Sequence, residues 1–225
     1  MSAGDLLRFA QVHRDGGAAH DGSVVLSGAS VAAMRERQVS QPYLGGESVG
    51  LGLAWHIFDR DGGTVFGHGG GTLGQAAILE IVPSAGVAAA VLTNGGDVLA
   101  LYREIVGRAL EELAGIRIAP PPVPPTDPQP VQPDRYAGSY QNQVARYDVT
   151  PHDRGGLWVR RTPRGLAAEL GRQVEEYEIV RLDADAFISA EPQGGQHARM
   201  AFVGAGAGGR ATHLHHSRAV PRVPD

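Results

Sequence analysis

Apolar residues recur at helical spacing over 3–13, through Leu6, Leu7, Phe9, Ala10 and His13, which predicts a helix there. A second helix is expected from Ser27 or Ser30 to about Gln38, capped by the serine. The pattern then changes to short runs bounded by glycine, proline or asparagine: 49–58 (VGLGLAWHIF), 63–67, 75–82 and 86–94 (GVAAAVLTN). These read as four consecutive strands. Helical spacing returns over 97–114, with Asn94 or Asp97 as cap, Val98, Leu101, Ile105, Ala109 and Leu113 on the apolar side, and Gly115 as terminator.

Residues 118–133 (IAPPPVPPTDPQPVQP) mark a boundary, because eight of these sixteen are proline. Proline holds the backbone extended and removes hydrogen-bond donors, so the segment reads as a stiff spacer; a ligand for a proline-recognising partner is the other reading. Beyond it, 135–140, 145–150, 156–161, 176–182, 186–190, 197–203 and 211–215 fit short strands separated by Asp-Arg-Gly-Gly, Asp-Ala-Asp and Gln-Gly-Gly turns. Seven strands in this span predict a small antiparallel barrel or curled sheet.

Composition narrows the functions. The chain has 225 residues, 42% of them apolar, with a net charge of -4, which suits one large or two small globular domains. Its arginines are scattered and form no continuous basic face, which argues against nucleic acid as a partner. No apolar stretch approaches the roughly 20 residues of a membrane span, and no signal-like segment opens the sequence. The absence of cysteine excludes disulfides and thiol catalysis and leaves the compartment open.

The main chemical signal is the run 66–75, FGHGGGTLGQ. Three successive glycines leave main-chain N–H groups unscreened, and His68 beside them can donate, accept or carry charge near neutral pH. A strand-to-strand turn with its backbone facing a ligand and a tight glycine hairpin with a surface histidine both fit these residues. Other motifs lack their required context. Gly46-Glu47-Ser48-Val49-Gly50 fits a nucleophile elbow, but a strand is expected after it where that motif needs a helix. Residues 69–74 fit Gly-x-Gly-x-x-Gly, yet Pro83 follows too soon for a dinucleotide-binding helix, and 204–209 (GAGAGG) reads as a hairpin loop.

Two helices, antiparallel strands and a closing helix, carrying VGLGLAWHIF, FGHGGGTLG and VAAAVLTN, resemble the last part of the catalytic domain of serine beta-lactamase-like hydrolases. These include class C beta-lactamases, esterases and D-stereospecific peptidases related to penicillin-binding proteins. The resemblance spans about 2–115 and implies an α+β fold: the C-terminal part of a beta-lactamase/transpeptidase-like domain (1–117), a proline-rich linker (118–133) and a β-rich accessory domain (134–225). In that family a Lys-Thr-Gly or His-x-Gly triplet edges the active site, and His68-Gly69-Gly70 fits the second form. The resemblance therefore implies that His68 contacts substrate or the proton network, that Gly69 and Gly70 line the wall, and that the Gly71 N–H is one of two oxyanion donors. No cofactor is implied. Tyr136-Ala137-Gly138-Ser139-Tyr140 resembles the phrase that opens the β-rich domain of many relatives.

The family nucleophile lies in a Ser-x-x-Lys motif, and this sequence contains no lysine. Arginine cannot substitute as a base because its pKa stays above about 12. Tyr140-Gln141-Asn142 fits the family's Tyr-x-Asn pattern but follows the proline run, in the wrong order. The expectation is a C-terminal portion of a longer hydrolase, inactive alone, with a small molecule or peptide as substrate of the full-length parent; the alternative is a non-catalytic binding or regulatory module that keeps the fold. Half a sheet would expose Ile78, Leu79, Val91 and Leu92, so a homo-oligomer or a partner chain is expected to cover them. His213 and His215 fall on one strand face as a pair of nitrogen ligands, with His152, His197 and Asp153 as distant additions, and Arg160, Arg161 and Arg164 could face an acidic ligand. Solvated strand residues are the plainer reading of both sets.

Overall fold

The computed structural model describes residues 1–72, 74–153 and 155–224. Leu73 of the glycine run, Arg154 of the Asp-Arg-Gly-Gly turn and Asp225 lie outside the described residues. The chain divides into two units, Met1–Gln41 with Glu47–Pro120, and Pro42–Gly46 with the residues from Pro121 onward.

In the first unit α1 (Ala3–Arg14) starts on a reciprocal cap: Ser2 Oγ accepts the Asp5 N–H at 3.2 Å and the Asp5 carboxylate accepts the Ser2 N–H at 2.8 Å. Ser27 caps α2 (Gly28–Arg35) by accepting the Ser30 N–H. Among the described residues six antiparallel strands follow, in the sheet in chain order: β1 (Val39–Ser40), β2 (Ser48–Leu51), β3 (His56–Arg60), β4 (Gly63–Thr72), β5 (Gln75–Val82) and β6 (Val87–Thr93). Asp97 accepts the Leu99 and Ala100 N–H groups and starts α3 (Val98–Leu101), which passes through a π-helical stretch (Tyr102–Gly107) into α4 (Arg108–Ala114). Gly115, at φ 66°, ends it.

Alternation along β4, β5 and β6 gives the sheet two apolar faces. One packs Leu79 and Ile81 with Trp55 and with Ala10 of α1. The other packs Val65, Val82 and Val91 against Val106 and Leu110 of the C-terminal helical segment. Leu79 and Val91 are thus buried within the unit, against the expectation that a half-sheet would expose them; Leu92, 42% exposed, fits it.

Two local readings need correction. Residues 49–58 are two strands joined at Gly52, whose N–H donates to the Trp55 C=O at 2.8 Å, with Ala54 at φ 68° in the turn. Gly52 is required there, since a Cβ would meet the Met34 carbonyl oxygen at 2.3 Å. And the glycine triplet is not a turn. Gly69, Gly70 and Gly71 lie in β4, paired with Ile78, Ala77 and Ala76 of β5.

The second unit forms, among its described residues, an eight-stranded antiparallel meander: β7 (Gly138–Gln141), β8 (Ala145–Pro151), β9 (Leu157–Pro163), β10 (Glu175–Asp183), β11 (Ala186–Ser189), β12 (Arg199–Val203), β13 (His213–His216) and β14 (Arg218–Pro221). A bridge between Tyr140 and Arg222 and a 2.8 Å bond from the Val223 N–H to the Ser139 C=O bring the last strand back to the first. Its interior is filled by Tyr140, Tyr147, Leu157, Ile179, Phe187, Phe202 and Leu214, as a barrel of this strand number allows. The sequence pattern missed β14, which is set off by a single residue, Ser217 at φ 57°. It also read 135–140 as one strand, where Pro133–Tyr136 is a helical turn before β7. The proline run has neither helix nor strand before Pro133, and its Val131 packs against the barrel core.

Candidate active-site edge

The direction of the β4 backbone groups follows from the ladder. The Gln38 N–H donates to the Leu51 C=O at 2.7 Å, so Leu51 bonds toward β1 and Gly50 toward β3. Register pairs Gly50 with Ile57 and His56 with Gly67, so Ile57 bonds back to β2, His56 bonds to β4, and Gly67 bonds to β3. Gly69 and Gly71, two and four residues further, aim their N–H and C=O groups the same way. There β3 has not yet begun, because its first residue is His56. No strand of the described residues lies opposite, so these groups form an open edge.

Glycine at these positions is not explained by the fold around it. A Cβ on Gly70 would meet nothing within 4 Å, one on Gly69 would lie 3.8 Å from the Ala77 carbonyl oxygen, and one on Gly71 3.5 Å from that of Gln75. Those are open space or ordinary contacts, and none of the three has positive φ. Gly67 differs: its Cβ would sit 2.8 Å from the Leu79 carbonyl oxygen and 3.0 Å from Glu80 Cγ. The end of the β4–β5 hairpin borders a cleft of about 630 Å³ lined by Gly70, Gly71, Thr72, Ala77, Leu92 and Asn94 among others.

His68 is exposed next to this edge and stacks on His56, with ring centroids 5.2 Å apart and planes 18° apart. The His56 ring also meets the edge of Phe58, at 5.9 Å. Burial first, then the charge of His68, holds His56 below its ordinary pKa.

A beta-lactamase family model matches residues 1–104. These residues belong to the serine beta-lactamase and penicillin-binding-protein-like family. Penicillin-binding protein 4 of Amycolatopsis lactamdurans is 38% identical over 147 residues, which cover 64% of this chain and 38% of that protein. The crystal structure of SurE with D-Leu aligns with 99% of this chain and 50% of its own, at a TM-score of 0.72 and 26% identity. The crystal structure of SurE gives 0.70 and 26% over 99% and 48%. The chain thus spans well under half of that curated relative and half or less of the two SurE chains.

In the beta-lactamase-like unit, the remaining sequence candidates have structural placements. Ser48 of the Gly-x-Ser-x-Gly run opens β2 opposite Asp59, and Glu47 pairs with Arg60 at 2.9 Å. In the second unit Tyr140 is fully buried, donating to the Tyr136 C=O at 2.7 Å, while Asn142 accepts the Val144 and Ala145 N–H groups in a turn. Tyr140-Gln141-Asn142 is therefore a core and turn element. His213 lies 3.0 Å from Thr212 Oγ1, and His197 lies 2.7 Å from the Ser189 C=O. His215 is buried, and His152 stacks on Trp158. Arg160 and Arg161 pair with Glu176 and Glu175. Sequence reasoning missed His56, whose signal was only its place one residue past the hairpin turn at Gly52–Trp55.

Proposed function

We propose that this chain is the C-terminal portion of a serine beta-lactamase-like hydrolase that cleaves an ester, amide or lactam through an acyl-enzyme in the full-length protein. The observation that carries the reading is the open edge of β4, where three glycines required by neither backbone nor packing sit beside His68. Backbone N–H groups fixed in a strand and aimed at vacant space are suited to a developing oxyanion, and each such donor is worth roughly 3 kcal/mol in acyl transfer. In this reading the Gly71 N–H is one of two oxyanion donors, Gly69 and Gly70 give the substrate room to approach, and His68 contacts the substrate or its proton network. The beta-lactamase family match over 1–104 supports it.

A nucleophile and its base must come from a Ser-x-x-Lys motif, which a sequence without lysine does not contain. Residues 1–225 alone therefore form no acyl-enzyme. The likeness to SurE, solved with D-Leu, supports a ligand that carries a D-amino acid, and the barrel unit is assigned an accessory, substrate-shaping role. A non-catalytic binding module is the second reading, favoured by the missing lysine. Fluorophosphonate and penicillin probes test both. The 225-residue chain should show no labelled serine, and the same chain preceded by its in-frame coding sequence should be labelled at a Ser-x-x-Lys serine. Labelling of a serine within residues 1–225 overturns the assignment, and absence of any such upstream motif leaves the binding module.

A further inference from the structure

His68 stands on an extended strand between Gly67 and Gly69, so neither chain neighbour has a side chain to brace its ring. Among the described residues, the ring it meets is that of His56. His56 is well placed to act as a brace. It is half-buried, its backbone is paired on both sides, to Leu51 of β2 and Gly67 of β4, and its ring is wedged between Phe58 and His68.

We propose that His56 is a positioning residue for the β4 edge: its stacked ring fixes the orientation of the His68 imidazole. This rests on the reading of His68 as a substrate-side group. With the rings 5.2 Å apart, a charge on His68 disfavours the charged form of His56. Among the described residues, His68 is the charge that acts on His56. The cross-strand neighbours are Leu51 and Gly67 for His56 and Leu79 for His68, and Phe58 shares the His56 face. Glu80, opposite Gly67, is held by Arg60, and Arg35 of α2 lies over Phe66 and donates to the His13 C=O. Burial, more than the His68 charge, holds His56 below its ordinary pKa.

The test uses ring-labelled histidine NMR on the 225-residue chain and kinetics on the full-length protein. His68→Phe should raise the titration midpoint of His56. His56→Ala should make the His68 ring more mobile by relaxation measurements, and His56→Phe, which keeps a flat partner, should restore its order. In the full-length enzyme His56→Ala should lower kcat/KM about tenfold, with His56→Phe recovering most of it. An unchanged His56 midpoint in His68→Phe, or an equally ordered His68 ring in His56→Ala, overturns the proposal. If the wild-type full-length protein forms no acyl-enzyme, the hydrolase reading fails by itself, and the NMR measurements still decide the role of His56.

Discussion

Arg60 and Glu80 meet fork to fork inside the first unit, at 2.5 and 2.9 Å, with side chains 0% and 4% exposed. Glu47 takes the Arg60 Nε–H at 2.9 Å, and the Tyr102 hydroxyl lies 2.7 Å from Arg60 Nη2 and 2.8 Å from Glu80. Burial opposes the guanidinium charge, but the Glu80 carboxylate overcomes it and holds Arg60 protonated. Burial and the same carboxylate push the Tyr102 phenol up, which keeps it a neutral donor. Glu80→Leu should therefore destabilise by about 3–5 kcal/mol, because it removes the bidentate partner of a buried cation and leaves it only Glu47 as counter-charge. Arg60→Met with Glu80→Leu should recover much of that loss. Urea midpoints of the three proteins check this, and a single variant no worse than the double one contradicts it.

His13 is 1% exposed, flanked edge-on by the Phe9 and Trp55 rings at 4.9 and 5.0 Å, and neither ring nitrogen has a hydrogen-bond partner among the described residues. Burial, then the Arg35 charge, lowers its pKa below the ordinary 6.5. A depressed histidine favours folding while neutral, so its contribution is complete above pH 6.5 and is lost as pH falls through the folded pKa. Carboxylates such as Asp185, held down by Arg135, yield only below their ordinary 3.8. Stability lost between about pH 6.5 and about pH 5 thus reports the buried histidines. His13→Leu should lose less over that interval than wild type when urea midpoints are compared; equal losses would sink the assignment.

The sequence made the helices legible because their ends are local: the spacing offered Ser27 or Ser30, Asn94 or Asp97, and Gly115, and the caps are Ser27, Asp97 and Gly115, with Ser2 added at α1. It made the β-rich nature of the second unit legible through its alternation. It hid the Gly52 hairpin, because Leu51, Leu53 and Trp55 continue the period-two pattern across the turn, and what demands Gly52 is a distant carbonyl, Met34. It left a barrel and a curled sheet both open, and what decides between them is distant in sequence: the bond from Val223 to Ser139 joins the two ends of the unit. At the candidate site, the residue types were readable in 66–75, but their place was not. A glycine triplet signals a turn by propensity, and only the register with β5 and the late start of β3 make it an open edge.

Two buried tyrosines of the barrel should respond oppositely to loss of a hydroxyl. Tyr140 donates to the Tyr136 C=O at 2.7 Å and receives the Arg222 guanidinium, which also lies over its ring at 4.6 Å. Tyr140→Phe removes both of these hydrogen bonds, leaving the Tyr136 C=O only a 3.4 Å bond from Arg222, and should cost about 1–3 kcal/mol. Tyr177 is 4% exposed and its hydroxyl has no partner among the described protein groups. Tyr177→Phe should be neutral or slightly stabilising, since it removes a polar group buried without compensation. Thermal midpoints compare them directly, and a Tyr177→Phe loss as large as that of Tyr140→Phe would reveal a bound water serving that hydroxyl.

The glycines of β4 separate function from folding. Alanine at Gly70 enters open space, and at Gly71 it makes only an ordinary 3.5 Å contact with the Gln75 carbonyl oxygen. Both positions are extended, where replacing glycine by alanine removes unfolded-chain entropy, so Gly70→Ala and Gly71→Ala should leave the 225-residue chain as stable as before or up to about 1 kcal/mol more so. In a full-length enzyme the added methyl groups would occupy the room through which substrate reaches the Gly71 N–H. Acylation by a penicillin or ester probe should then fall about tenfold or more, with the largest effect at Gly71, because a donor that loses its distance to the oxyanion loses most of its roughly 3 kcal/mol. Urea unfolding of the short chain and acylation rates of the full-length protein give the two readings. Variants that unfold the chain would make these glycines structural, and variants that acylate at the wild-type rate would remove the β4 edge from the reaction.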